Sequence, residues 1–489
     1  MPPSPTTASA PADELTAWAY SPALTRTLER ERRFQDEAAE LGSRSTRVSF
    51  LRLVAFLAAV VGGISAATGG GAFGMYLGLG GAVVFVGLLV VHARLLGQQR
   101  HAELRAAVHH EHVLRMTGRA TELPSAHEGL LPGGHPYAID IDLVGPASLL
   151  QRLDTARTLL GTKTLARWLG APATEEQILA RQGAVRELSQ MHDFRQELEA
   201  AGRLATGNDK LDAAPFLAFT KRAPGVLGTP LVALIFLAPP ALLGLYIASK
   251  LGAVPSVVFW GAFALQAVLA LMLAKHPIDV FELIAARRGY IEAYASALAC
   301  VETARFEDPL LRQLHQDVHA GGAAPSSYMR RLDRWAGLAE FRHQFPLHFF
   351  INLMTLWDLH VLLQLERWNR SVGTELERVF AALGELEALS SLASFLDSDE
   401  DACFPTIVPV SEGFRAVGLA HPLLQPSARV PNDVTLGGAG HALIITGSNM
   451  AGKSTLLRAV GLNTALALAG GPVLAQSPPL PVVRLRASL

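Results

Sequence analysis

Residues 53–91 carry no charged side chain, a stretch bounded by Arg52 and His92. One membrane-crossing helix needs about 20 apolar residues, so this stretch predicts two helices, with Thr68-Gly69-Gly70-Gly71 as the turn between them. A second apolar block, Ala223 to Ala274, is interrupted only by Lys250. It predicts one span near Pro230–Ser249 and another near Val254–Ala274. A pair of buried core helices is the competing reading, but core helices of that length usually carry a polar stripe. The spans hold no acidic residue, and Gln266 is their only side-chain amide. Transport pathways usually display ionisable groups inside the membrane, so the hairpins are expected to be anchors.

The flanks set the expected orientation. Arg44, Arg47 and Arg52 precede the first hairpin, and Arg94, Arg100 and Arg105 follow it. Lys221 and Arg222 precede the second, and Lys275, Arg287 and Arg288 follow it. By the positive-inside bias both hairpins enter from the cytosol and return to it. The expectation is a multi-pass protein of the cytoplasmic (inner) membrane with its soluble body facing the cytosol and membrane lipid as a partner.

Outside the hairpins the pattern is helical. Residues 145–200 place apolar positions at three-to-four spacing, as in Leu159, Leu160, Leu165, Trp168 and Leu169. Ala171-Pro172-Ala173-Thr174 breaks that run, and Thr174 with Gln177 offers a capping box for the next helix. Residues 326–396 read as another long helical stretch, with Leu353, Leu356, Trp357, Leu359, Leu362, Leu363 and Leu365 as core. Strand signals are scarce before residue 405, and then Val430–Leu436 and Ala442–Thr446 appear as short β-branched runs. The resulting division is a cytosolic segment 1–48, hairpin 49–97, helical core 98–222, hairpin 223–275, helical core 276–400 and a nucleotide-domain segment 401–489. The fold class is mainly α.

Composition changes this picture little. The 489 residues are 50% hydrophobic and 17% charged, with a mean hydropathy of +0.28, which excludes a disordered chain. A net charge of −1 gives no dominant nucleic-acid footprint. Two cysteines, Cys300 and Cys403, build no disulfide framework. His109, His110 and His112 cluster on one helix, but adjacent helical positions face apart, which argues against a metal site.

One motif carries chemistry. Gly447-Ser448-Asn449-Met450-Ala451-Gly452-Lys453-Ser454 fits the phosphate-cradling pattern G-x-x-x-x-G-K-[ST]. Gly447 and Gly452 allow successive backbone N–H groups to turn toward phosphate oxygens. Lys453 brings a point charge to the β- and γ-phosphates, and Ser454 offers a hydroxyl to Mg²⁺. A short apolar strand, His441–Thr446, is expected before the loop, and a helix from Thr455 to Leu468 after it. ATP with Mg²⁺ is the expected ligand.

Thr446-Gly447-Ser448-Asn449-Met450-Ala451-Gly452-Lys453-Ser454-Thr455-Leu456-Leu457-Arg458 resembles the loop of the MutS mismatch-repair ATPases, an ABC-type branch. His421-Pro422-Leu423, Val430-Pro431-Asn432-Asp433-Val434 and Gly471-Pro472-Val473-Leu474-Ala475 are similar to elements flanking that loop. Weaker likeness extends to Gly161–Leu169 with Pro172, to Arg181 with Val185-Arg186-Glu187-Leu188, and to Leu386–Ala393. The hairpins point to a membrane-anchored MutS-like branch.

The resemblance implies that Thr455 and Asn432 join the loop residues in holding nucleotide. It places Arg429 where the family stacks an aromatic on adenine, a task open to a planar guanidinium. It also implies a homodimer through the complete ATPase domain and DNA as a candidate partner. The Phe-x-Glu wedge that reads mismatches in that family has no counterpart in these residues. The family's Mg²⁺-binding acid, water-orienting acid and signature segment would fall beyond Leu489, with Pro481–Arg486 beginning the next strand. The expectation is therefore a part-domain that does not turn over ATP alone, its catalytic residues unknown. The alternative is an ATP-gated membrane scaffold or transporter-like component with no DNA role.

Overall fold

The computed structural model describes residues 22–124, 129–203, 210–221, 229–274, 281, 288–319, 324–373, 375–448, 452–476 and 478–488. It is mainly helical, and its first two helices set its character. Helix α1 (Pro22–Ala67) and helix α2 (Gly71–Met116) are 46 residues each, about 69 Å at the usual rise, and pack antiparallel along their length. The turn lies at Thr68–Gly70, where Gly69 holds φ +95°. Small residues bring the two backbones together: a Cβ on Gly62 would lie 2.2 Å from the Gly78 amide nitrogen. Such close approach is how helices associate where lipid removes the hydrophobic drive.

Near the turn the outer faces are apolar and open, as at Phe73 and Val83. Away from it the same helices become a charged stalk clamped on helix α6 (His192–Arg203). Glu197 accepts from Arg105 at 2.5 Å and pairs with His101 at 2.7 Å, and Glu199 pairs with His112 at 3.0 Å. The segment boundary expected at residue 48 is no structural break, because α1 runs straight through it. The histidine cluster disperses: His110 meets Glu31, His112 meets Glu199, and His109 stacks on Phe34.

The body begins with α3 (Leu149–Leu153), α4 (Leu159–Gly170) and α5 (Glu175–Gln190), which precede α6. The capping box at α5 has both arms, Gln177 N–H to the Thr174 hydroxyl and Thr174 N–H to the Gln177 side chain. Helix α7 (Ala214–Thr220) leads to the second apolar hairpin, α8 (Thr229–Lys250) and α9 (Ser256–Leu273). Then follow α10 (Arg288–Thr303), α11 (Pro309–Val318), α12 (Pro325–Glu340), α13 (Leu347–Thr355), α14 (Trp357–Val372) and α15 (Leu376–Ser398). The expected single stretch over 326–396 is thus four helices. Pro346 stands at the N-cap of α13, and Leu356, in the left-handed region at φ +54°, separates α13 from α14.

Five helices among the described residues are long and apolar enough to cross a membrane. Four form the two hairpins, with open faces. The fifth, α15, is the buried centre of the body and packs against α4, α5 and α11.

Glu387 of α15 caps α4: its carboxylate accepts from the Arg157 and Thr158 amides and from the Thr158 hydroxyl. Burial raises this carboxyl to about 7 despite those donors. A carboxyl held above its unfolded value takes up its proton more readily in the folded state. Its contribution is complete below the unfolded value near 4.5 and fades as pH rises through about 7. Glu387→Gln is therefore expected to match the parent near pH 5 and to melt at higher temperature than the parent at pH 8. Parallel melting curves at both pH values check this, and an equal shift at the two would remove the assignment.

Short strands complete the described chain. β1 (Ala402–Cys403) pairs antiparallel with β5 (Val473–Leu474), and β2 (Thr406–Val408) runs parallel to β6 (Pro479–Pro481). The strand expected from Pro481 onward is not formed: β6 ends at Pro481, and residues 482–488 join no strand among the described residues. β3 (Phe414–Leu419) pairs antiparallel with β4 (Asn432–Leu436) through an irregularity between Ala416 and Leu419.

Candidate nucleotide-binding site

Helix α16 (Lys453–Leu468) carries the phosphate-loop motif at its N-terminus, starting two residues before the sequence expectation of Thr455. Gly452 sits at the cap with φ +79°, and space is open where a Cβ would stand. Gly452 has no side chain with which to cap this end, so among the described residues the first-turn amides of a 16-residue helix are open to another acceptor. Those amides and the helix dipole make such an end an anion site. Lys453 folds back on the loop, its ammonium donating to the Gly447 carbonyl at 2.5 Å and the Ser448 carbonyl at 3.0 Å. Ser454 and Thr455 are exposed beside it. Asn449, Met450 and Ala451, the middle of the motif, lie outside the described residues.

These residues fit a nucleotide phosphate. The cradle combines an open glycine, the amides of a helix start, a cation on soft carbonyl contacts and the exposed Ser454 hydroxyl. Gly447, Ser448, Gly452, Lys453 and Thr455 would hold the phosphates, with Ser454 toward Mg²⁺.

The segment before the loop differs from expectation. His441–Thr446 forms no strand and pairs with no described strand, and Leu443 and Ile444 are exposed, the latter by 83%. The ladder bonds that would make it a strand are not made there.

The β3–β4 ribbon packs on α16, with Ala416, Leu419 and Val434 against Ala459. Asn432 therefore belongs to the same small unit as the loop. Its own amide donates to the Val430 carbonyl at 2.7 Å, and its side chain is exposed.

Arg429 is placed otherwise than an adenine-stacking role requires. Its guanidinium grips Asp399 at 2.9 and 2.5 Å and donates to the Leu424 carbonyl, with its side chain only 3% exposed. Both planar edges are engaged, because a buried carboxylate at the end of α15 needs the charge more than the surface does. Arg152 joins from α3, bonding Asp399 and the Pro422 carbonyl. The triad ties the helical body to the segment that bears the loop. Removing one partner of a buried pair costs about 3–5 kcal/mol, so Asp399→Ala should destabilise by that order, read as a shifted denaturation midpoint. A midpoint within about 0.5 kcal/mol of the parent would demote the triad to a surface contact.

Two further ties escaped sequence inspection. Asn463, buried in the mostly apolar run Ala459–Ala469, donates to the Ala420 carbonyl at 2.9 Å and accepts from the Leu474 amide at 2.7 Å. An amide inside that apolar run was the available signal. Arg181 lies 4.0 Å from the Trp168 ring centroid and donates to the Ala469 carbonyl at the C-terminal end of α16. Burial, with Arg458 beside it, lowers His421 to about 4, keeping that ring neutral next to the loop-bearing helix.

A DNA mismatch repair protein MSH6 of Arabidopsis thaliana is 40% identical over 124 residues, covering 23% of this chain and 9% of that protein. A DNA mismatch repair protein MutS 2 of Halobacterium salinarum is 37% identical over 114 residues, covering 23% and 13%. An Endonuclease MutS2 of Gemmatimonas aurantiaca is 38% identical over 117 residues, covering 22% and 14%. These matches support a MutS-related family. The chain spans between 9% and 14% of the length of these relatives. No family model matches the chain.

Proposed function

We propose that this is a membrane-anchored, MutS-like ATP-binding protein of the ABC ATPase class, with its nucleotide site on the cytosolic side of the membrane. The observation that carries the reading is the left-handed glycine, Gly452, that opens α16, with Lys453 poised on the loop carbonyls. The helix amides would orient the phosphates, and Lys453 would exchange its carbonyl contacts for phosphate oxygens, which are stronger partners for a cation. Mg²⁺, when bound, supplies charge neutralisation of the phosphates, with the Ser454 hydroxyl directed to it. The two apolar hairpins serve as anchors, and the stalk made by α1 and α2 fixes the body at a set distance from the bilayer. The MutS-related matches motivate a homodimer through the nucleotide domain and DNA as a macromolecular partner.

The DNA component has its own test. Anisotropy titrations of labelled duplexes, with and without a mismatch, should show binding that weakens at least tenfold between about 50 and about 200 mM salt, the mark of phosphate contacts. Matched and mismatched duplexes should bind alike. Absence of binding at the lower salt would leave an ATP-binding membrane protein with no DNA role.

A further inference from the structure

Between Arg342 and Asp358 the body carries a stretch with no Asp, Glu, Lys or Arg, and α13 lies within it. Its outer face is apolar and open: Leu347, Phe350 and Met354 share one helical stripe, and Phe345, 81% exposed, continues it. The polar side chains of α13 turn inward instead. His348 pairs with Asp358 at 2.9 Å, Asn352 accepts from the Asp358 amide at 3.0 Å, and the Thr355 hydroxyl bonds the Ile351 carbonyl. An apolar open face with its polar groups bonded within the protein is an arrangement compatible with lipid.

Its position is fixed by the second hairpin. Helix α13 packs against α9 and α8, and the Gln266 amide of α9 donates to the Leu353 and Met354 carbonyls at 2.9 and 2.8 Å. Those carbonyls belong to the last turn of α13, where intrahelical partners run out. The single side-chain amide of the hairpins is thus consumed in capping α13.

Bilayer dimensions then decide the environment. Gln266 is seven residues from Leu273, so the contact lies about 10 Å in from that end of α9. The remainder of α9, from Ser256 to Leu265, is about 15 Å long, against a hydrocarbon core of about 30 Å. A hairpin that crosses the core must carry the level of Gln266 into it, and α13 goes with it.

We propose that α13 is a third membrane-embedded element, a re-entrant helix docked on the second hairpin, whose Leu347–Phe350–Met354 face contacts lipid acyl chains. The proposal rests on the second hairpin being a membrane element. The test uses the full chain with Cys300→Ser and Cys403→Ser, reconstituted in phosphatidylcholine vesicles, and single cysteines labelled with bimane. Phe350→Cys reports on α13, Leu243→Cys on the exposed side of α8, and Leu179→Cys on the open surface of α5. Nitroxide on the lipid acyl chains should quench positions 350 and 243 alike and spare position 179, while aqueous iodide should do the reverse. Met354→Cys, on the same face, gives the same reading if the label at 350 disturbs packing. Lipid quenching at 243 with iodide quenching at both 350 and 354 would overturn the proposal and leave the hairpin reading intact. Iodide quenching at 243 as well would overturn the hairpin reading and the proposal together.

Discussion

Lys453→Ala is expected to lose about a hundredfold or more in affinity for Mg²⁺-ATP while the helical body keeps its melting temperature. A charge-assisted hydrogen bond contributes about 1.5–3 kcal/mol, and two lost contacts to phosphate oxygens account for that factor. The fold is insensitive because, among the described residues, Lys453 bonds the Gly447 and Ser448 carbonyls at an exposed loop and takes no part in the core around α15. Calorimetric titration with nucleotide, paired with a thermal melt of the same samples, separates the two effects. Equal affinity in parent and variant would remove the phosphate-site assignment. Equal loss of affinity and stability would mean that the lysine holds the fold instead.

The second large effect concerns the first hairpin. The parent chain should stay in the membrane pellet through an alkaline carbonate wash, and Val83→Arg, still held there by the second hairpin, should lower the fraction of first hairpins that insert, read as protease cleavage of the 68–71 turn from the cytosolic side. Val83 is 72% exposed on α2, so in water its replacement would change stability by no more than about 0.5 kcal/mol. At the centre of a membrane-crossing helix the same arginine costs about 2.5–3.5 kcal/mol of insertion. The apolar part of α2, residues 71–91, is about 31 Å long, a match to the hydrocarbon core. Cleavage of that turn in the parent, with no further change in the variant, would make the hairpin a water-exposed arm.

Local signals were read well from sequence because their causes are local. The glycine cluster after Thr68 marks the turn between α1 and α2, and Thr174 with Gln177 forms the expected capping box. The glycine before Lys453 stands at the start of α16 because a left-handed residue there needs no Cβ. What sequence could not show depends on contacts between distant segments. Arg429 is spaced as a nucleotide-stacking residue, yet Asp399, thirty positions away, takes its guanidinium. The β-branched run at 442–446 has strand propensity, but a strand also needs a neighbour, and the described sheet offers none. The leucine-rich stretch over 347–365 looks uniform as sequence. In space Leu356, in the left-handed region, divides an open apolar helix, α13, from the buried α14.

The most direct test of a nucleotide site held on the cytosolic side of a membrane is a single binding comparison on sealed vesicles. Membranes from expressing bacterial cells are prepared inside-out and right-side-out, and uptake of a fluorescent ATP analogue with Mg²⁺ is measured on each. The account predicts saturable binding on inside-out vesicles, competed by ATP and absent from Lys453→Ala vesicles, and none on right-side-out vesicles until detergent opens them. Lys453-dependent binding of equal extent on both preparations, or its recovery only from the soluble fraction, would contradict it.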